Sequence, residues 1–175
     1  MPRVDETVIG FAVYEGTDEY LGISEATLPE ISNIAEEISG AGINGKYESP
    51  ILGQIEPMTL TLNFRVVTRN AIKLFEPRRH EITLMAAQQN QDPTKGNVGV
   101  TSVKHVLVIN PKKLNPGKLA TASAADVSGE YAATYYATYI DGKKMLEIDP
   151  INYLFYVNGQ DDRWEQIKKA LGKQS

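Results

Sequence analysis

Three glycines, Gly40, Gly42 and Gly45, spell Gly-x-Gly-x-x-Gly within SGAGINGK (39–46). Between a buried strand and a helix, that spacing brings backbone against a pyrophosphate and aims a helix N-terminus at it. The flanks forbid this chemistry. The preceding ISNIAEEIS carries Glu36 and Glu37 and is no buried parallel strand. The following KYESPILG holds Pro50 and Gly53 and cannot open a helix of useful length. A ribose-binding acid is expected roughly twenty residues on, where Arg65 stands instead. The glycines are therefore read as structural, either permitting unusual backbone angles or allowing another backbone to approach closely.

Other groups with chemical potential fare similarly. His80 and His105, the only histidines, fall in different predicted strands, and no spacing adds the further ligands zinc needs. Both are read as structural. Glu147 and Asp149, two apart on one strand, could hold calcium or a proton; without more acids beside them they read as a solvated or interface pair. No nucleophile elbow occurs. With no cysteine, disulfides and thiolate metal sites are excluded. Six of the nine tyrosines fall within 131–156, at alternating positions that suit a core or an oligomer interface. The alternative for them is the sugar-binding face of a monomeric β-sandwich module. The residues thus indicate no enzyme, no cofactor and no metal.

The elements that must position these groups read mostly in twos, which predicts a mainly antiparallel β fold in a single domain spanning 1–175. Met58, Leu60, Leu62, Phe64 and Val66 share one strand face; Ile82 and Leu84 continue the pattern after His80; Val103, His105, Leu107 and Ile109 form another stripe. Tyr131, Ala133, Tyr135, Ala137 and Tyr139 share a further face, and Asp141-Gly142 supplies a two-residue hairpin turn into 144–148. An earlier hairpin is expected to join Val8–Tyr14 to Tyr20–Ala26. Two helices are predicted. Asn70 caps a short one running to Glu76, with Ile72 and Phe75 inward. Asp162 and Glu165 have capping-box spacing for a C-terminal one, whose stripe of Trp164, Ile167, Lys168 and Leu171 must lie on the sheet before Gly172 ends it. An N-terminal arm (about 1–7) and loops over 88–100 and 110–125 complete the chain, the second long enough to reach a neighbour. No apolar run reaches the ~18 residues of a membrane-spanning helix.

Charge is uneven. Residues 1–60 carry eleven acids and two bases, and residues 61–175 eleven acids and sixteen bases. A chain polarised in this way can meet copies of itself with opposite charges facing.

Taken in order, TLPEI (27–31), GAGING (40–45) followed by ILG (51–53), DGKKMLEIDPIN (141–152) and VNGQD (157–161) resemble the major tail tube protein of contractile-tailed bacteriophages and phage-tail-like bacteriocins. The resemblance runs from about Val8 to Gly172 and matches the 65–125 region only in outline. It implies a two-sheet β structure with a flanking helix, assembling into six-membered rings stacked as a hollow tube. Its implied partners are other copies, a sheath protein, a baseplate initiator and a tape-measure protein. Double-stranded DNA would pass through a phage tube and ions through a bacteriocin; assembly would occur in the bacterial cytoplasm, and only the finished particle would contact a membrane. On this reading Gly40, Gly42, Asn44 and Gly45 form an inter-subunit loop, and Glu30, Glu36, Glu37 and Glu48 include acids facing the lumen.

Overall fold

The computed structural model describes residues 3–158 and 164–173, and within them the chain forms eleven strands and two short helices. Two long strands organise it. β8 (Val98–Asn115) and β9 (Val127–Ile140) pair antiparallel along most of their length. On its other edge β9 meets β6 (Met58–Phe64) from Val127 to Ala133. It then meets β10 (Lys143–Asp149) from Tyr136 to Ile140. The change of partner coincides with a bulge in the β8–β9 ladder at Val108/Ile109, and a second bulge lies at Pro111/Lys113. Bulges bend a strand pair, and here they turn one ladder into two packed layers.

One layer has β3 (Ile23–Thr27) on the far side of β6. The other continues from β8 to β7 (His80–Gln91), β1 (Val4–Glu15) and the two-residue β2 (Asp18–Glu19), and ends opposite at β11 (Leu154–Val157) beyond β10. Between the layers, Leu60, Leu62 and Phe64 of β6 share one core with Ile82 of β7, Leu107 and Ile109 of β8, Tyr131 of β9 and Ile148 of β10. The antiparallel pairing is that expected from the alternation, and the two layers are what the family resemblance implies.

Several expectations are corrected. Ile23–Thr27 pairs with β6, so the β1 hairpin returns only through β2. Helix α1 spans Arg69–Lys73 and its N-cap is Thr68, whose hydroxyl accepts from the Ala71 N–H at 3.2 Å. That cap rotates the helix so that Ala71 and Leu74 are buried, while Ile72 and Phe75 face outward. The expected arm is strand from Val4, paired with β7. The loop expected at 88–100 shrinks because β7 and β8 extend to Gln91 and from Val98. The loop expected from Asn110 begins after Asn115; Pro111 is tolerated because the β7–β8 ladder ends at the His80–Ile109 pair, leaving this part of β8 without a second strand partner among the described residues. The rest of that loop is held by Lys118 N–H to Ala125 C=O (2.8 Å) and Ala125 N–H to Arg65 C=O (2.7 Å).

A second sheet, not expected from the sequence, pairs β4 (Asn33–Ile38) with β5 (Tyr47–Ile55). It projects as a two-stranded hairpin with most residues exposed on both faces. Its base is closed by Glu56 N–H to Ser32 C=O at 2.8 Å. Helix α2 (Glu165–Ala170) lies against it: a Cβ built at Gly53 would meet Ile167 Cδ1 at 2.3 Å and the Trp164 indole at 3.2 Å. Trp164 also stacks on Phe155 of β11, with centroids 5.4 Å apart. The helix therefore bridges the hairpin to the large sheet. Leu171, expected on the same stripe, is 58% exposed because it caps a helix that ends at Ala170. The expected capping acid Asp162 lies outside the described residues.

Candidate functional site

The groups that could have done chemistry are engaged internally. His80 is fully buried at the start of β7, with Nδ1 3.0 Å from Glu15 Oε1 and Nε2 3.0 Å from the Glu76 carbonyl oxygen. Glu15 also accepts from Arg78 at 2.8 Å and from the Tyr20 hydroxyl. Burial pushes the Glu15 carboxyl up, but hydrogen bonds from Tyr20, His80 and Arg78 together hold it below its ordinary value. The cluster clasps the ends of β1 and β2 to the link between α1 and β7. His105 lies on β8 beside Thr138 Oγ1 and the Tyr136 hydroxyl, both 3.0 Å from Nδ1, and burial lowers its pKa.

Glu147 accepts from the Tyr135 hydroxyl at 2.6 Å and from Lys144 at 3.2 Å. Asp149 accepts from the Ile151 and Asn152 N–H groups and from the Asn152 amide, shaping the turn into β11. Among the described residues no group of three or more His, Asp or Glu could hold a metal. The tyrosines form no open platform either. Tyr131 and Tyr136 are buried, and Tyr139 and Tyr156 lie beneath Lys104 and Lys144. The bulge at Thr134 inverts the pleat, so Tyr135 and Tyr139 leave the face that Tyr131 occupies and Tyr136 takes the core position. A sugar-binding face is not favoured.

What remains is surface. The glycine motif is the tip of the β4–β5 hairpin, closed by Ile43 N–H to Gly40 C=O at 3.1 Å. Gly40, Gly42 and Gly45 have φ of 149°, 88° and 114°. A Cβ at any of them would meet nothing within 4 Å, so the subunit itself needs these glycines for backbone conformation alone. Asn44 is exposed beside them.

Three of the four singled-out acids lie on this hairpin. Glu37 stands opposite Glu48, and Glu36 opposite Ser49 on the other face, with Ile38 and Tyr47. Like charges directly across a ladder repel; Lys46, 3.3 Å from Glu37, offsets part of this at a solvated site. Glu30 is exposed in the link before β4. Sequence reasoning assigned no strand to these residues, although short runs on either side of a glycine turn are a hairpin signal.

Among the described residues the large sheet has one long open edge: β1 from Val4 to Ala12 has β7 on one side and no strand on the other. Val4, Val8, Ile9 and Phe11 on that edge are 41–57% exposed. Natural sheets seldom leave a long apolar edge open unless something pairs with it.

The chain is similar to known proteins along most of its length. The family model described as "Phage tail tube protein FII" matches residues 5–172. The curated tail tube protein of Escherichia phage P2 is 26% identical over 157 residues, covering 87% of this chain and 89% of that protein. Among solved structures, the sheath/tube terminator of the PVC extracellular contractile injection system in its extended state gives a TM-score of 0.52 at 14% identity, over 75% of this chain and 94% of that one. The sheath–tube complex of the same system gives 0.48 at 15% identity, over 74% and 87%.

Proposed function

The chain belongs to the phage tail tube protein FII family, and from that premise we propose that it builds the inner tube of a contractile tail. Six copies close into a ring and rings stack into a hollow cylinder. The carrying observation is the apolar outer edge of β1, Val4 to Ala12, which meets no second strand among the described residues. That edge meeting a strand of the next copy continues the ladder, and closure around the ring removes every edge. If four strands per copy line the bore, ~24 strands at ~4.8 Å spacing give a backbone diameter of ~40–50 Å, wide enough for duplex DNA.

The surfaces follow from this geometry. The tip formed by Gly40, Gly42, Asn44 and Gly45 is an inter-subunit loop. Glu30, Glu36, Glu37 and Glu48 include the acids that face the lumen, because a basic bore would hold DNA and slow its passage. The sheath protein, a baseplate initiator and a tape-measure protein are the implied partners. DNA passes if the particle is a phage, ions if it is a bacteriocin; assembly takes place in the bacterial cytoplasm, and only the particle meets a membrane. The test is electron microscopy of the purified protein followed by reconstruction. Rings or tubes with continuous ladders between copies are expected. Tubes whose copies each leave the β1 edge in solvent would overturn the proposal, as would acids that all lie on the outer wall for the lumen assignment.

A further inference from the structure

The tube reading leaves open what the hairpin touches. The segment 30–56 contains five glutamates and one lysine, whereas 65–79, around α1, contains five bases and one glutamate. The two are separate surfaces of one fold, each exposed and each part apolar.

Around α1, Val66, Val67, Ile72 and Phe75 are 37–52% exposed. The Arg65 N–H bonds to the Gly22 carbonyl at 3.2 Å, which brings Leu21, 68% exposed, to the same corner. Of the bases, Lys73 is held by Asp18 at 3.4 Å and Arg78 by Glu15 and Glu76. Arg65, Arg69 and Arg79 make no ion pair among the described residues. On the hairpin, Glu36, Ile38 and Tyr47 share one face, and Tyr47 is 52% exposed. A lone two-stranded sheet is marginal in water, and this one meets its own chain at Gly53, near its base.

We propose that this face of the hairpin docks on the α1 corner of a second copy, with Glu36 against Arg69 and Tyr47 over Ile72 and Phe75. The inference rests on the tube reading above and names the receptor for its projecting element. Acid meets base and apolar meets apolar, and the opposite face with Glu37 and Glu48 stays wet. Because the two surfaces differ, the contact is head-to-tail, the kind that can repeat from ring to ring along an open stack. Opposite charge selects the register and speeds encounter.

Charge exchange tests it. Glu36→Arg and Arg69→Glu each place like charges across the contact, and each is expected to raise the protein concentration needed for polymerisation roughly tenfold or more. Circular dichroism checks that each variant is folded. An equimolar mixture of the two variants should polymerise by alternating them. The arginine introduced on one variant's hairpin then meets the glutamate introduced at the other's corner, and the remaining contacts pair the native Glu36 with the native Arg69. Mixing does not rescue an effect confined within one chain, so rescue identifies a contact between copies. Wild-type tubes with either single variant assembling normally, or with no rescue in the mixture, would overturn the docking while leaving the tube reading intact. Absence of tubes from wild type would overturn both.

Discussion

The Tyr131 hydroxyl lies over Gly129 on the same strand, so close that a Cβ added at position 129 would stand 2.3 Å from it. Gly129 sits mid-sheet, opposite Leu62 on one side and Leu114 on the other, and the ring fills the place of its missing side chain. The phenol is fully buried without a hydrogen-bond partner among the described residues, and burial pushes its pKa up to about 12. The ring is needed here and its oxygen is not. Gly129→Ala should therefore cost about 1–3 kcal/mol through overpacking. Tyr131→Phe should cost nothing or gain up to about 1 kcal/mol, since it removes an unsatisfied group. Urea unfolding measures both, and a Tyr131→Phe loss above about 1 kcal/mol would mean that the hydroxyl has a partner.

Gly53 performs the corresponding service for α2. Its φ is 76°, and a Cβ there would stand 2.3 Å from Ile167 Cδ1 and 3.2 Å from the Trp164 indole, so a side chain must push both away and also strain the backbone. Gly53→Ala should lift the helix from the hairpin. The chain has a single tryptophan, Trp164, 3% exposed against this glycine. Its emission should shift to the red and its quenching by iodide should rise. Unchanged fluorescence would show that α2 is not held at Gly53.

These two glycines mark the limit of what the sequence made legible. Strand β6 and the start of β7 could be read because one face of each is buried, so core residues recur at every second position. The Asp141-Gly142 turn could be read because positive φ at both residues leaves few side-chain choices, and φ is 49° and 81°. The β4–β5 hairpin could not, since with both faces largely exposed it has no stripe to show, and Glu36 and Glu37 exclude only a buried strand. The Tyr131–Tyr139 stripe misled because a bulge at Thr134 inverts the pleat without changing composition. Ile72 and Phe75 misled because their spacing fits a helix face as well as Leu74 and Ala71 do, and the Thr68 cap decides which face turns inward. The internal partners of His80 come from residues 4 and 65 positions away, a pairing no local pattern reveals.

Acid should weaken the subunit in two separate ranges. Burial lowers the His105 pKa, so the unfolded chain takes up its proton first; the stabilisation is complete above about 6.5 and falls as pH drops below it. Glu15 is also lowered, and its contribution is complete above about 4.5 and is lost as pH falls through its folded value. His105→Gln should flatten the first decline and Glu15→Gln the second, read from urea midpoints between about pH 8 and pH 3. A His105→Gln profile that still declines just below pH 6.5 as in wild type would refute the first assignment.

The open edge of β1 makes a distinct demand. Ile9 falls where the β1–β7 register skips a residue, so a proline there disturbs the internal ladder least. On a sheet edge proline also withdraws a donor and blocks pairing. Ile9→Pro should leave a folded, soluble subunit that no longer forms rings. The check is sedimentation beside circular dichroism, and normal tubes from this variant would show that the β1 edge is not where copies join.

Gly42 separates two uses of glycine that look alike in one subunit. Its φ of 88° disfavours any side chain, yet a Cβ there meets nothing within 4 Å. If conformation were its whole purpose, Gly42→Asn should serve nearly as well, because asparagine tolerates positive φ. If the backbone of a second copy approaches this tip, asparagine should fail with valine, since both add atoms where the neighbour must pass. The inter-subunit reading predicts that Gly42→Asn keeps the subunit's unfolding midpoint close to wild type, that Gly42→Val lowers it through the positive φ, and that both block polymerisation. Tubes from Gly42→Asn but not from Gly42→Val would restrict the glycine to its backbone angle and remove the tip from the interface.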